Sequence, residues 1–173
     1  MMQYKQFVFL CFLRPDTNKF YLSKKINMDI YSRRVEVRWS DLDPNYHLRH
    51  SVYYDWGAYL RITFLNEHGL TPSVMNQYHF GPILFREECV FKREILFGDV
   101  VEINMQIVKS RKDMSRWSMM HEIWKNNDTL GAVITIDGAW IDTKIRKLAV
   151  PPVLIQQVFE AIPKAGIFEW VEG

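Results

Sequence analysis

The residue types that could do chemistry concentrate between Trp39 and Ser51, in the run WSDLDPNYHLRHS. Asp-Pro followed by Asn is turn chemistry, and a residue before proline is pushed out of the helical region, so Asp43 sits on extended or looped backbone. A helix pattern opens directly afterwards. The first amides of a helix have no intrahelical acceptor and carry partial positive charge, which stabilises an incoming or developing anion. A carboxylate just upstream faces the same spot. Asp43 and the helix start therefore pair a base or nucleophile with a ready-made oxyanion site, as acyl transfer requires. The same residues also have a plainer use, because Asp and Asn ahead of helices ordinarily cap and turn. A third use is metal ligation by Asp41, Asp43, His47 and His50. HxxH alone is a weak pattern and no further spaced ligand set occurs elsewhere, so no metal is expected.

Positioning such a loop requires a strand before it and a helix after it. Arg33 to Trp39 alternates with period two, placing Val35, Val37 and Trp39 on one face of a first strand. Ser51 to Glu67 reads as a long helix closed by Gly69 at the position that favours a left-handed cap. Val52, Trp56, Tyr59, Leu60 and Thr63 form its main apolar stripe, and Tyr53, Ile62 and Phe64 widen it, so the helix is expected to be buried on several sides. Thr71 to Pro82 reads as loop. Strand patterns follow at Ile83 to Ile95, Asp99 to Ser110, Ser115 to Lys125 and Thr129 to Asp142. Turn residues separate them at Phe97-Gly98-Asp99, Arg111-Lys112-Asp113 and Asn126-Asn127-Asp128. That is an antiparallel meander. Pro151-Pro152 then opens a short helix, Val153 to Ile162, ahead of a polar and aromatic tail. The expected fold is α+β, an antiparallel sheet of about five strands wrapped around one long central helix, with a short C-terminal helix. A single sheet exposes its edges, and pairing with a second copy is the economical remedy, so a homodimer or homotetramer is expected.

With 173 residues, 48% of them hydrophobic, the chain has enough apolar surface for one domain with a core. Its 22 Lys and Arg against 20 Asp and Glu lack the basic excess of a nucleic-acid binder. Cys11 and Cys89 stand in separate apolar runs and form no disulfide or zinc pattern. Phe7 to Leu13, the longest uncharged apolar run, is far short of the roughly 20 residues of a membrane span. No membrane span is expected, and a cytoplasmic setting is the simplest reading. Residues 1–27 join no downstream pattern and read as an extension of unknown role, ahead of a domain over 28–150 and a C-terminal helix and tail over 151–173.

The string VRWSDLDPNYHLRHSVYYDW, Val37 to Trp56, resembles the signature of hotdog-fold acyl-CoA thioesterases of the 4-hydroxybenzoyl-CoA thioesterase superfamily: a strand, then D-x-D-x-x-G-H-x-N-N, then a helix with an early tyrosine. The resemblance covers about Met28 to Val150. It implies a hotdog fold and cofactor-free hydrolysis of an acyl-CoA to a carboxylic acid and free CoA. Asp43 matches the second Asp and is the implied general base or nucleophile. Asn45 and His47 fall on positions implied to orient Asp43 or the attacking water, and Asp41 on one that shapes the loop toward substrate. The thioester carbonyl is implied to lie near the amides of Arg49, His50 or Ser51, beside the early tyrosine Tyr53, in a site completed by the other subunit.

Three positions depart from the signature. Tyr46 replaces glycine, and Arg49-His50 replaces Asn-Asn. If the loop needs a positive φ there, Tyr46 is expected to force a different turn, and Ser51 is expected to take over the helix cap. Arg111 and Lys112, with Lys109 and Arg116, flank a hairpin and could meet the phosphates of CoA or simply be solvated. One of Glu87 and Glu88 could face the site as a second carboxylate. Two other functions fit the same residues, a non-catalytic acyl-CoA or acyl-carrier binding protein and a hotdog hydratase or dehydratase. In the latter, Asp43 and His47 stand one residue closer than the usual D-x-N-x-x-H.

Overall fold

A computed structural model describes residues 30–172, and among these residues there are seven strands of one sheet and three α-helices. The reading of residues 1–27 as an extension lies outside the described residues. The elements run β1 (Tyr31–Val35), a 3-10 turn (Trp39–Asp41), α1 (His50–Glu67), α2 (Pro72–Tyr78), β2 (Phe80–Phe91), β3 (Val101–Arg111), β4 (Arg116–Lys125), β5 (Thr129–Asp142), β6 (Lys147–Leu148), α3 (Val153–Glu160) and β7 (Lys164–Val171). Strands are ordered β1-β3-β4-β5-β2, with β6 beside β5 and β7 beside β3.

The hairpins β3-β4 and β4-β5 form where turn residues predict them. Asn126 and Asn127 both take left-handed backbone, φ 53° and 77°, at the tip between β4 and β5. The four long strands are not one continuous meander, however, because β2 lies against β5 at the far side from β3. The connection over residues 92–100 does not turn back on β2. It is pinned to the Asp43 loop, where the Leu48 amide donates to the Ile95 carbonyl at 2.8 Å and His47 bridges to Leu96.

The first strand ends at Val35, and Trp39 leaves its expected buried face to stand 67% exposed. The Asp41 carboxylate accepts from the Arg38 amide and guanidinium, which curls the backbone into a 3-10 turn at that point. Residues 72–78, expected as loop, form a helix capped by Thr71, whose hydroxyl accepts from the Val74 amide, with Pro72 opening the first turn. The expected aromatic tail is strand β7, parallel to β3, and α3 buries Ile155, Val158 and Phe159 in the common core.

α1 ends as expected. Gly69 at φ 82° donates to the Asn66 carbonyl, and the Leu70 amide reaches back to Leu65 at 2.8 Å, closing a Schellman motif. Its inward stripe is Val52, Trp56, Leu60 and Phe64, while Tyr59 and Ile62 are exposed, so within one chain burial is confined to one side of the helix. Facing it are Met119, His121 and Ile123 of β4 and Ala132, Ile134 and Ile136 of β5, all buried. Gly57 allows this close approach, since a Cβ there would lie 3.2 Å from the Arg61 guanidinium and 3.4 Å from the His121 ring.

A polar group sits in this apolar interface. Arg61 Nη1 of α1 donates to Glu87 Oε1 of β2 at 3.0 Å and lies 3.1 Å from His121 Nε2 of β4. Arginine can only donate, so Nε2 accepts, and the ring proton is on Nδ1, which donates to the Asn104 carbonyl at 2.9 Å. Burial, aided by the Arg61 charge, pushes the His121 pKa down to about 3.

A Cβ at Gly138 would lie 2.4 Å from the Trp117 ring and 2.8 Å from the Ile83 carbonyl, whereas Gly166 has open space. Gly138→Ala is expected to cost about 1–3 kcal/mol in denaturant unfolding, and Gly166→Ala to leave stability nearly unchanged. An unfolded chain protonates His121 near pH 6.5 but the folded chain only near pH 3, so the unfolded state binds more protons between these values. Stability then falls as pH drops through that window, by up to about 1.4 kcal/mol per unit. His121→Gln should flatten that slope between pH 6.5 and about pH 4.5. An unchanged slope would show that His121 does not set it.

Candidate active site at the amino end of α1

The loop between the 3-10 turn and α1 closes on itself through short-range hydrogen bonds. Leu42 and Leu48 pair as an antiparallel bridge, and Asp43 N donates to the His47 carbonyl at 2.8 Å. Within this loop one carboxylate oxygen of Asp43, Oδ1, accepts from the Asn45 amide at 2.8 Å and the His47 amide at 3.0 Å. The carboxylate is held by backbone, in the manner of an Asx turn, while Oδ2 makes no hydrogen bond to the described residues. Asn45 and His47 thus orient Asp43 through their amides, with both side chains exposed or nearly so.

Tyr46 adopts the positive φ of the signature glycine, 64°, rather than forcing a different turn. Left-handed backbone costs a residue with a Cβ about 1–2 kcal/mol. The ring is 64% exposed and lies 6.0 Å from that of Trp39, which in turn meets Phe97 edge-on at 6.2 Å. This exposed aromatic group beside the loop is not visible as a unit in the sequence, since Phe97 arrives from the β2-β3 connection.

Asp41 turns inward and is sealed from solvent. Arg38 grips it at 2.9 Å on each oxygen and holds its carboxyl below the usual carboxylate range. It anchors the loop and presents no surface to a substrate. Its carbonyl also accepts from the Arg49 amide at 2.9 Å, which removes one of the three amides expected at the oxyanion position. The amides of His50 and Ser51 donate to no acceptor among the described residues. Ser51 does not cap the helix. Arg49 occupies the cap position with no side-chain hydrogen bond, leaving the helix start open. Tyr53 is buried behind it, edge-on to Phe91 at 5.0 Å, and burial pushes its pKa up to about 12.

Other expected residues lie at the opposite end of the sheet. Leu48 and Tyr53 meet Ile95 just past β2 and Phe91 at its end, whereas Arg111 ends β3 and Lys112 follows it, on the side at which β2 begins. Arg111 and Lys112 border a shallow hollow with Asp113 and Glu172. Lys109 is paired with Glu169 at 2.7 Å, and the Arg116 guanidinium covers the Phe85 ring. Of the two strand carboxylates, Glu87 points inward to Arg61 and Glu88 pairs with Arg86 outside. Among the described residues no three His, Cys, Asp or Glu side chains gather as a metal site would require.

The aromatic richness of the sequence, with six Trp, eight Tyr and eleven Phe, fits an apolar pocket or a plain aromatic core equally, and it does not place the cavity. About 220 Å³ of space lies between the second half of α1, α3 and the sheet, walled by Arg61, Phe64, Trp117, Met119, Trp140 and Phe159, with Pro82 and Leu84 of β2 at its border. Its lining is drawn from helices and strands far apart in the chain, so no local pattern announces it. Asp43 is not among the lining residues.

This architecture recurs in solved structures. A thioesterase of Thermus thermophilus complexed with coenzyme A and Zn is 26% identical, with a TM-score of 0.63 over 77% of this chain and 92% of that one. A Staphylococcus aureus hypothetical protein in complex with CoA gives a TM-score of 0.68 at 18% identity, over 83% and 90% of the two chains. A 1,4-dihydroxy-2-naphthoyl-CoA thioesterase from Synechocystis gives 0.66 at 18% identity, over 75% and 94%. A search of curated proteins finds no match. The family model for the thioesterase-like superfamily matches residues 37–159, from the approach to the Asp43 loop through nearly all of α3, and the chain belongs to that superfamily.

Proposed function

We propose that the protein hydrolyses acyl-CoA thioesters at the Asp43 loop. The observation that carries this reading is the backbone-clamped Asp43 carboxylate in the loop that leads into the two unspent amides of α1. Membership of the thioesterase-like superfamily and the CoA bound in the Thermus and Staphylococcus relatives support the substrate class.

In the general-base route Oδ2 of Asp43 takes a proton from water as the water oxygen attacks the thioester carbon. The carbonyl electrons move to an oxyanion held by the His50 and Ser51 amides. Collapse of the tetrahedral intermediate breaks the C–S bond, and the thiolate of CoA leaves with the proton Asp43 took. In the covalent route Oδ2 attacks the same carbon and the C–S bond breaks to expel the CoA thiolate, giving a mixed anhydride; water then opens the anhydride, releasing the acid and the Asp43 carboxylate, and its proton goes to the thiolate. Both use the same groups.

A single chain leaves this centre at the surface, and the space able to hold an acyl group is at the other end of α1. Pairing of a second copy along the β2 edge would close this separation. Among the described residues β2 is the outermost strand beside β5, with one side unpaired and with Leu84, Phe85, Val90 and Phe91 exposed along it. Antiparallel pairing of β2 with β2 of a second copy puts the two-fold axis normal to the sheet, so both α1 helices stay on one face. The Asp43 end of each copy then meets the cavity end of the other, along with Arg111 and Lys112 for the CoA phosphates. We infer a homodimer, or a tetramer built from it, with two shared sites.

Thiol release measured over a panel of acyl-CoAs is expected to show turnover, and Asp43→Asn to lower kcat by about 100-fold or more with unchanged circular dichroism and molar mass. Near-native turnover by Asp43→Asn would remove Asp43 from the reaction. For the shared site, Asp43→Asn and Ala58→Trp, which plugs the cavity border, are each expected to be inactive alone. Co-refolded in equal amounts they should recover about one quarter of native activity, because half the dimers are mixed and each has one intact site. No recovery, or a monomeric mass by light scattering, would confine the site to one chain.

A further inference from the structure

The cavity wall is chemically one-sided. Its lining is apolar except for three side chains, Arg61, Trp117 and Trp140, and the nitrogen groups of all three are donors. The indole N–H groups of Trp117 and Trp140 are themselves buried, with no acceptor among the described residues, so the polar group this wall offers a ligand is Arg61. Arg61 uses Nη1 for Glu87 and His121, and its Nε and Nη2 make no hydrogen bond to the described residues. Among the described residues the wall carries no carboxylate, hydroxyl or amide side chain to receive a ligand's proton.

The formal charge next to the cavity is already balanced. Arg61 is positive, Glu87 is negative, and His121 is neutral with Nδ1 protonated. A ligand carboxylate placed against Arg61 would leave one uncompensated negative charge in an apolar site, which is strongly unfavourable. A neutral oxygen would accept from Arg61 without that cost. The volume of about 220 Å³ exceeds the roughly 150 Å³ of an apolar cavity that takes up benzene, so it admits an acyl group of moderate size.

Resting on the thioesterase reading, we propose that this cavity is the acyl pocket and that it selects acyl groups that are apolar but carry a neutral oxygen, hydroxyl or keto, at the end remote from the thioester, with Arg61 as the specificity-determining residue. Glu87 and His121 position the guanidinium and set the charge that the pocket accepts.

The test separates recognition from hydrolysis by using CoA thioethers, which cannot be hydrolysed. Binding of S-octyl-CoA, S-(8-hydroxyoctyl)-CoA and S-(7-carboxyheptyl)-CoA to the full chain is measured by titration calorimetry. The hydroxylated ligand is expected to bind on the order of tenfold tighter than the plain one, and the carboxylated ligand more weakly than both. Arg61→Met should bring the hydroxyl-to-methyl ratio close to one. Glu87→Gln keeps Arg61 and removes the balancing charge, so it should invert the order and make the carboxylated ligand the tightest. That second variant guards against a misfolded Arg61→Met. Equal binding of all three ligands, no binding of any, or a carboxylate preference in the native chain overturns the proposal even if thioesters are turned over. The expected order without any thioester turnover would instead overturn the hydrolase reading and leave the pocket assignment standing.

Discussion

Packing of one side of α1 along the sheet, antiparallel to β2, sets the positions of both the candidate active site and the cavity. Tyr53 meets Phe91, Arg61 meets Glu87, and the segment from Ala58 to Leu65 closes over Pro82 and Leu84. An 18-residue helix is about 27 Å long, so the open amide end and the cavity end are far apart on the same element. Apolar burial drives this arrangement, with Leu60 and Phe64 almost wholly removed from water at roughly 1.5–3 kcal/mol each. Gly57 lets the helix settle close enough for Arg61 to reach both β2 and β4.

At the amide end, the loop spends stability to hold its shape. Asp41 is buried with a bidentate partner, Asp43 is committed through one oxygen to two amides, and Tyr46 occupies left-handed backbone without being glycine. Strain of this kind persists only where the surroundings over-determine it. Here they do, because bridges from Leu42 to Leu48 and from His47 to Leu96 clamp the loop on both sides. The result is a carboxylate whose direction is set by backbone rather than by a rotamer choice, which is the preorganisation a general base or nucleophile needs.

The elements and the loop are legible in the sequence because their signals are local. Alternation locates β3, β4 and β5 within a residue or two, Gly69 marks the end of α1, and Asp-Pro-Asn marks the turn that presents Asp43. What escapes has non-local causes. The partner of β2 cannot be read locally, because the 92–100 connection is held by contacts to Leu48 and His47, more than forty residues upstream. Trp39 reads as core because its apolar side chain fits the alternation, while the Arg38–Asp41 pair that breaks the strand reads as two surface charges. Arg61 looks like one polar residue on a mostly apolar helix, and His121 like one polar residue in a strand. Only the fold makes them neighbours.

The Arg61–Glu87–His121 group also shows why a largely desolvated charge pair need not be there for stability. Desolvating an arginine and a carboxylate costs several kcal/mol, and the pair regains about that much, so apolar residues of similar shape would hold α1 to the sheet comparably well. Burial lowers the Arg61 pKa from its ordinary value even with Glu87 in contact, which places desolvation ahead of the ion pair in magnitude. A group that contributes little net stability still imposes a fixed charge and fixed donors on the space beside it. In this molecule that space is an apolar cavity, so the consequence of the pair falls on what the cavity will accept.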